Sequence, residues 1–279
     1  MTIPDHDTVS YCQVGPTELG LDIFRPPGAS NRAAVLVFHG GGWRVGTRQD
    51  VHERAAALAA AGFTALTVQY RLLDVAPWPA PVEDAAAALA WTRDHAADLG
   101  IDPGKVIIQG HSAGAHIALM TATLDPAQRP AAIIAYYPAI GFYPAPPPAG
   151  PVSPFDLEAD EQGRLPGWML FPEGTVPAEL DAASPIALAD ATYPPTMLLH
   201  GAADTVVPYR GSINLHRRLA DLGVPGELHT YARRGHEFDQ SPAMIAATVG
   251  AVASFLDRIV VNPEADAADI RRFPFPPVR

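Results

Sequence analysis

The chain is predicted to fold around one α/β core, a mostly parallel sheet with helices on both faces. Three observations predict it. Short apolar runs alternate with stretches of helical length along nearly the whole sequence. Several runs are apolar without alternation, as in Ala-Ala-Val-Leu-Val-Phe at 33–38, which suits strands covered on both faces. A length of 279 residues is enough to bury a core with no disulfide or metal staple.

Taken in order, residues 8–14 and 19–24 read as a hairpin broken at Gly15-Pro16. The strand at 33–38 runs into Gly40-Gly41-Gly42. Residues 52–61 form a helix stopped by Gly62, and 63–69 the next strand. The Ala-rich stretch 82–99 is a long helix, announced by Pro79 and Pro81 and closed by Gly100. Residues 105–109 form a strand, 113–124 a helix and 131–136 a strand. Later come strands at 196–200 and 226–231, with a helix at 213–222 between them and a closing helix at 242–259. The core is therefore assigned to residues 1–140 and 196–260.

Two regions break this rhythm. Residues 141–195 are rich in Pro and carry Phe142, Tyr143, Phe155, Trp168 and Phe171. A connection that long is expected to be a cap or lid insertion. The tail 261–279, with Phe273 and Phe275, is expected either to pack on the body or to serve contacts in a homo-oligomer.

The balance of 19 basic against 30 acidic residues gives a net charge of −11. Such a surface argues against nucleic acid and anionic membranes as partners. No uninterrupted apolar run reaches membrane-spanning length, and the first ten residues lack the pattern of a secretory signal. A cytoplasmic protein is the expectation; a mature secreted chain would read the same way. The lone Cys12 excludes an intrachain disulfide framework and a multi-Cys metal site. It reads as a half-buried strand residue.

The chemistry concentrates at three strand ends. Gly110-His111-Ser112-Ala113-Gly114 lies where the strand at 105–109 turns into a helix. A turn this sharp needs small residues two before and two after its apex, and holds the serine in a strained, exposed conformation. Ser112 is the candidate nucleophile. A serine hydroxyl needs a base, and the base a carboxylate to hold it. Asp204 follows the strand at 196–200, and His236 follows the strand at 226–231, 32 residues later. That spacing leaves room for one helix and one strand, so both loops fall at one end of the sheet. Glu237 and Asp239 are the nearest competitors for the acid, but they follow His236 too closely to reach back to its ring. The backbone N–H groups of Gly40, Gly41, Gly42 and Ala113 are candidates for an oxyanion hole. His39 reads as a brace for the glycine loop.

Trp43, Tyr70, Phe142, Tyr143, Trp168 and Phe171 are expected to line the substrate pocket, since each follows a strand end or lies in the insertion. His111 and His116 are five apart, a poor spacing for shared metal ligation on a helix. No metal-ligand spacing is found, and no dinucleotide or phosphate-loop pattern, so no metal and no cofactor are expected.

Together His39–Trp43, Gly110–Gly114, His200-Gly201…Asp204…Pro208 and Gly235-His236 resemble the α/β-hydrolase superfamily. More narrowly, they resemble bacterial hormone-sensitive-lipase-like carboxylesterases and the short acetylxylan and feruloyl esterase-like proteins. The resemblance runs from about Leu19 to Leu256. It implies an eight-stranded, mostly parallel sheet, acyl-enzyme chemistry on a small-molecule ester, and no cofactor. The lipase-like group carries a helical cap before the glycine loop. Here only a hairpin precedes His39, so any cap comes chiefly from 141–195. His-Gly-Gly-X-Trp also resembles kynurenine formamidases, which keeps an amide substrate open. A ligand-binding protein on the same scaffold is the third alternative, and the intact Ser112, Asp204 and His236 argue against it.

Overall fold

The computed structural model describes residues 3–148, 158–171 and 175–273. Phe155 and Phe275, singled out above, lie outside them. Strands β1 (Asp7–Val14) and β2 (Thr17–Phe24) form the expected hairpin, followed by β3 (Ala34–Phe38). Helix α1 (His52–Ala60) leads to β4 (Thr64–Val68). Helices α2 (Ala80–Asp94) and α3 (Ala96–Leu99) precede β5 (Val106–His111), α4 (Ala113–Thr121) and β6 (Ile133–Tyr136). The described parts of 141–195 contribute β7 (Phe142–Tyr143), β8 (Leu165–Pro166), α5 (Pro177–Asp181) and α6 (Pro185–Leu188). The chain closes with β9 (Thr196–Gly201), α7 (Arg210–Asp221), β10 (Gly226–Tyr231), α8 (Pro242–Leu256) and α9 (Pro263–Arg272).

Eight strands form one sheet in the order β1-β2-β4-β3-β5-β6-β9-β10. The hairpin and its junction with β4 are antiparallel, and every later pairing in the sheet is parallel. Each parallel crossover carries a helix, which covers one face or the other. One apolar cluster joins one face of the sheet to Ala85 and Leu89 of α2, Ile117 of α4, and Leu215 and Leu219 of α7. The second joins the other face to Leu58 of α1 and to Ile245, Val252 and Phe255 of α8. This two-sided cover explains the unbroken apolar runs: all five residues of β3 are buried. Each fully buried Leu, Ile or Phe of this kind contributes roughly 1.5–3 kcal/mol relative to exposure.

Three details differ from the expectation. The helix predicted over 82–99 breaks at His95, whose ring stacks on Trp91 at 4.1 Å and bonds the Trp91 carbonyl at 2.8 Å. A side chain that ties back to its own helix competes with the next turn. The tail holds helix α9, with Pro263 in its first turn, Glu264 and Asp266 beside it and Arg271 and Arg272 at its end. Those are helix-end signals, but too few apolar residues lie between them to show a period. The stretch Pro242–Val261 is long and apolar enough to cross a bilayer, at mean hydropathy 1.8. The run is interrupted by Asp257 and Arg258, and in this fold α8 presents its apolar face to the sheet.

Candidate active site

The parallel strands end along one edge of the sheet, and the motif residues gather there. At the corner between β5 and α4, Ser112 has φ 52° and ψ −115°, a conformation rare for a residue with a side chain. Its N–H donates to the Tyr136 carbonyl at 3.0 Å, which anchors the corner to β6. The flanking glycines are dictated by contact. A Cβ on Gly110 would lie 2.1 Å from the Gly114 carbonyl oxygen, and one on Gly114 2.4 Å from that of His39. Only bare Cα atoms let α4 approach β3 this closely.

Ser112 Oγ lies 3.0 Å from Nε2 of His236, and the Nδ1 of that ring lies 2.7 Å from Asp204 Oδ2. In the tautomer these partners require, Nδ1–H donates to the carboxylate and Nε2 accepts from the hydroxyl. The structure thus brings together three side chains from three loops. Asp204 is itself held: its Oδ1 accepts the backbone N–H groups of Val206 and Val207, each at 2.9 Å. Burial alone would raise the carboxyl, but hydrogen bonds from His200 and His236, the charge of His236 and the Val207 N–H outweigh it. Asp204 is therefore held well below the usual carboxylate range. His200, read from sequence only as a strand end, is a second neighbour of this acid. Its Nε2 lies 2.8 Å from the Val207 carbonyl and 3.2 Å from Asp204 Oδ2, and its Nδ1 is 2.8 Å from Ser212 Oγ. A residue at i−4 on a strand gives no periodic signal for such a contact.

Gly41, Gly42, Ala113, Ser112 and His236 line one cleft of about 420 Å³. Gly41 has φ +107°, and a Cβ there would lie 2.0 Å from the Val45 carbonyl oxygen, so its turn excludes any side chain. Gly40 instead lines a neighbouring polar cavity, and a Cβ on it would press on Ser112 Cβ at 3.3 Å. His39 is buried behind the loop, its Nδ1 2.7 Å from the Gly40 carbonyl and its ring stacked on Tyr70 at 4.4 Å.

The rest of the cleft corrects the expected aromatic lining. Trp43 and Trp168 line it, together with Ala139, Leu165, Met169, Val206 and Val207. Tyr70, Phe142, Tyr143 and Phe171 do not. Tyr70 turns inward and its hydroxyl donates to the His39 carbonyl at 3.1 Å. Phe142 is buried against Trp43 and His116, with centroids 5.8 and 5.3 Å away. The Tyr143 hydroxyl donates to the Glu158 carbonyl, and Phe171 packs on the core. Lying after a strand end places a residue near the site, but the direction of its side chain is set by packing. The aliphatic residues missed here carry no motif that distinguishes them from core.

Helix α4 is tied to the stretch between β8 and β9 by His116, whose Nε2–H donates to the Ala183 carbonyl at 2.8 Å. Burial holds this imidazole down to about 4 from an ordinary 6.5, and the bond to Ala183 offsets that only in part. The unfolded chain takes up the proton near the ordinary value while the folded chain resists it. Stability from this group is thus complete above about pH 6.5 and declines as pH falls, by about 2–3 kcal/mol at about pH 4.5. Urea unfolding of His116→Gln, which keeps an N–H for Ala183, is expected to show a flatter decline over that window. An unchanged slope would refute this account.

Among the described residues, His6, Asp22 and His52 bring three potential ligand atoms within 4.8 Å of one another. The spacing rules did not reveal this group because its members come from three separate segments. Asp22 already accepts hydrogen bonds from Thr8, His52 and Arg48, and the Arg48 guanidinium sits 2.8 Å from the oxygen that faces His52. That fixed cation opposes a metal ion at the same oxygen.

A mostly parallel eight-stranded sheet with a serine at the turn after β5, an acid after β9 and a histidine after β10 defines the α/β-hydrolase class. Residues 21–219 match the model of the BD-FAE family. The chain belongs to that family. Esterase LipQ of Mycobacterium tuberculosis is 31% identical over 259 residues, covering 85% of this chain and 58% of LipQ. The probable carboxylic ester hydrolase LipM of the same organism is 29% identical over 283 residues, covering 93% of this chain and 63% of LipM. The chain thus spans about three fifths of the length of these relatives. The apo form of Thermogutta terrifontis esterase 2 superimposes with a TM-score of 0.77 at 25% identity, over 94% of this chain and 97% of that one. Its propionate-bound form gives 0.75 at 27% identity, over 93% and 96%.

Proposed function

We propose that this protein is a serine carboxylesterase acting on short-chain or aryl esters. The observation that carries the reading is the continuous relay from Ser112 Oγ through His236 to Asp204, at 3.0 and 2.7 Å, opening into one cleft with Gly41, Gly42 and Ala113. Ser112 attacks the ester carbonyl while His236 Nε2 takes its proton. Asp204 keeps the ring in the tautomer whose Nε2 is free to accept, and stabilises the imidazolium that forms. The N–H groups of Gly41, Gly42 and Ala113 serve the oxyanion, with that of Ala113 at the positive end of α4. His236 then returns the proton to the departing alcohol. Water, activated by the same ring, releases the acid.

The esterase names of LipQ and LipM and the likeness to esterase 2 support the ester bond as the target. The cleft supports the size of the substrate. At about 420 Å³ and lined by Trp43, Leu165, Trp168, Val206 and Val207, it suits a short acyl chain or an aryl group. In a p-nitrophenyl ester series, kcat/KM is expected to peak at short chains and to fall steeply by about C8 to C10, since each further methylene no longer finds a wall to contact. A maximum at long chains would overturn the assignment of the cleft. Parallel assays of phenyl acetate and N-formylkynurenine separate ester from amide preference, with the ester expected to prevail.

A further inference from the structure

We infer that Asp239 is a positioning residue that locks the loop carrying His236 against the nucleophile corner. It lies in a short turn, Phe238–Gln240, three residues beyond the base, and is only 1% exposed. Its carboxylate gathers donors from three separate parts of the fold. Oδ2 accepts from Arg54 Nε of α1 at 2.6 Å and lies 3.2 Å from His111 Nδ1, next to the nucleophile. Oδ1 accepts from the Tyr137 hydroxyl at 2.7 Å, at the end of β6. Asp239 bonds none of the relay atoms; those of His236 go to Asp204 and Ser112. Its role is therefore mechanical.

Two further observations tie the cluster to the base. The Tyr137 ring lies 4.6 Å from the His236 ring, so the residue fixed by Asp239 forms a wall of the base's pocket. Tyr137 also has φ +40°, a left-handed conformation that a tyrosine keeps only where its surroundings over-determine it. The Asp239 bond and the packing on His236 are those surroundings. His111 completes the link from the other side, because its backbone leads directly into Ser112. One buried carboxylate thus spans nucleophile, base wall and α1, and burying it is offset by the charge-assisted bonds it receives.

This rests on the serine-hydrolase reading above, so all rates are referred to enzyme titrated with a fluorophosphonate; failure of the wild type to react would count against that reading and leave Asp239 aside. Asp239→Asn is expected to lower kcat per titrated site about 10- to 100-fold with KM within about twofold, because misplacing a base by a fraction of an ångström slows proton transfer without removing substrate contacts. Tyr137→Phe keeps the ring on His236 but removes the hydroxyl, and is expected to lower kcat about 3- to 10-fold. The double variant is expected to be no slower than Asp239→Asn, since the Tyr137 bond is one of those the Asp239 carboxylate makes and its loss is already counted there. Wild-type kcat in folded Asp239→Asn, a loss carried by KM, or losses that multiply in the double variant would each overturn the proposal. If Asp239→Asn does not fold, Tyr137→Phe decides by the same kcat-against-KM criterion.

Discussion

Ser112→Ala is expected to lower hydrolysis of a short-chain p-nitrophenyl ester by about 10⁵- to 10⁶-fold, with the fold intact. Among the described residues, the side chain to be removed bonds only the base, through Oγ to His236 Nε2 at 3.0 Å. Its backbone bond to Tyr136 survives in alanine, and alanine takes the same φ with no greater strain than serine. Circular dichroism and thermal unfolding should therefore match the wild type within measurement, while labelling by a fluorophosphonate disappears. The residual rate should exceed that in water, because Gly41, Gly42 and Ala113 still face the cleft. Undiminished turnover in this variant would dispose of the proposed nucleophile.

Asp204→Asn is expected to cost about 10⁴-fold in kcat through the tautomer of the base. The amide oxygen can keep the Val206 and Val207 N–H groups, each now 2.9 Å from Oδ1. Its NH₂ group then faces His236 Nδ1, which must accept instead of donate. That forces the proton onto Nε2, where it meets Ser112 and blocks proton transfer. His200 does not restore the wild-type arrangement, since its Nε2–H is engaged by the Val207 carbonyl at 2.8 Å. The carboxylate is held below its ordinary range, so the wild type keeps this charge throughout mildly acidic solution. In that window, a loss of activity on acidification does not come from protonation of Asp204. A fall of less than about tenfold in Asp204→Asn would show that orientation of the ring is secured by other contacts.

Much of this centre was legible in the residues alone. Gly110-x-Ser112-x-Gly114 is a local geometric demand, because Gly110 and Gly114 are required by contacts within the turn and with the strand beside it. Asp204 and His236 could be placed because loops after parallel strands emerge at one edge. The strands themselves were legible through their unbroken apolar runs, a direct consequence of cover on both faces. Helix α9 and the break at His95 were not, since one lacks an apolar period and the other turns on a single side-chain bond. Four of the six aromatic residues assigned to the pocket face elsewhere, because sequence position fixes proximity and leaves side-chain direction free.

The sequence by itself determined which side chains are the candidates for chemistry and roughly where along the sheet edge they stand. Those properties follow from local sterics and from strand order, both written in short stretches of residues. Only the tertiary structure decided what surrounds them: His200 beside Asp204, aliphatic walls around the cleft, and Asp239 joined to Arg54, His111 and Tyr137. Such contacts join residues up to 185 positions apart, and they are set by how layers pack and by which buried polar groups must find partners.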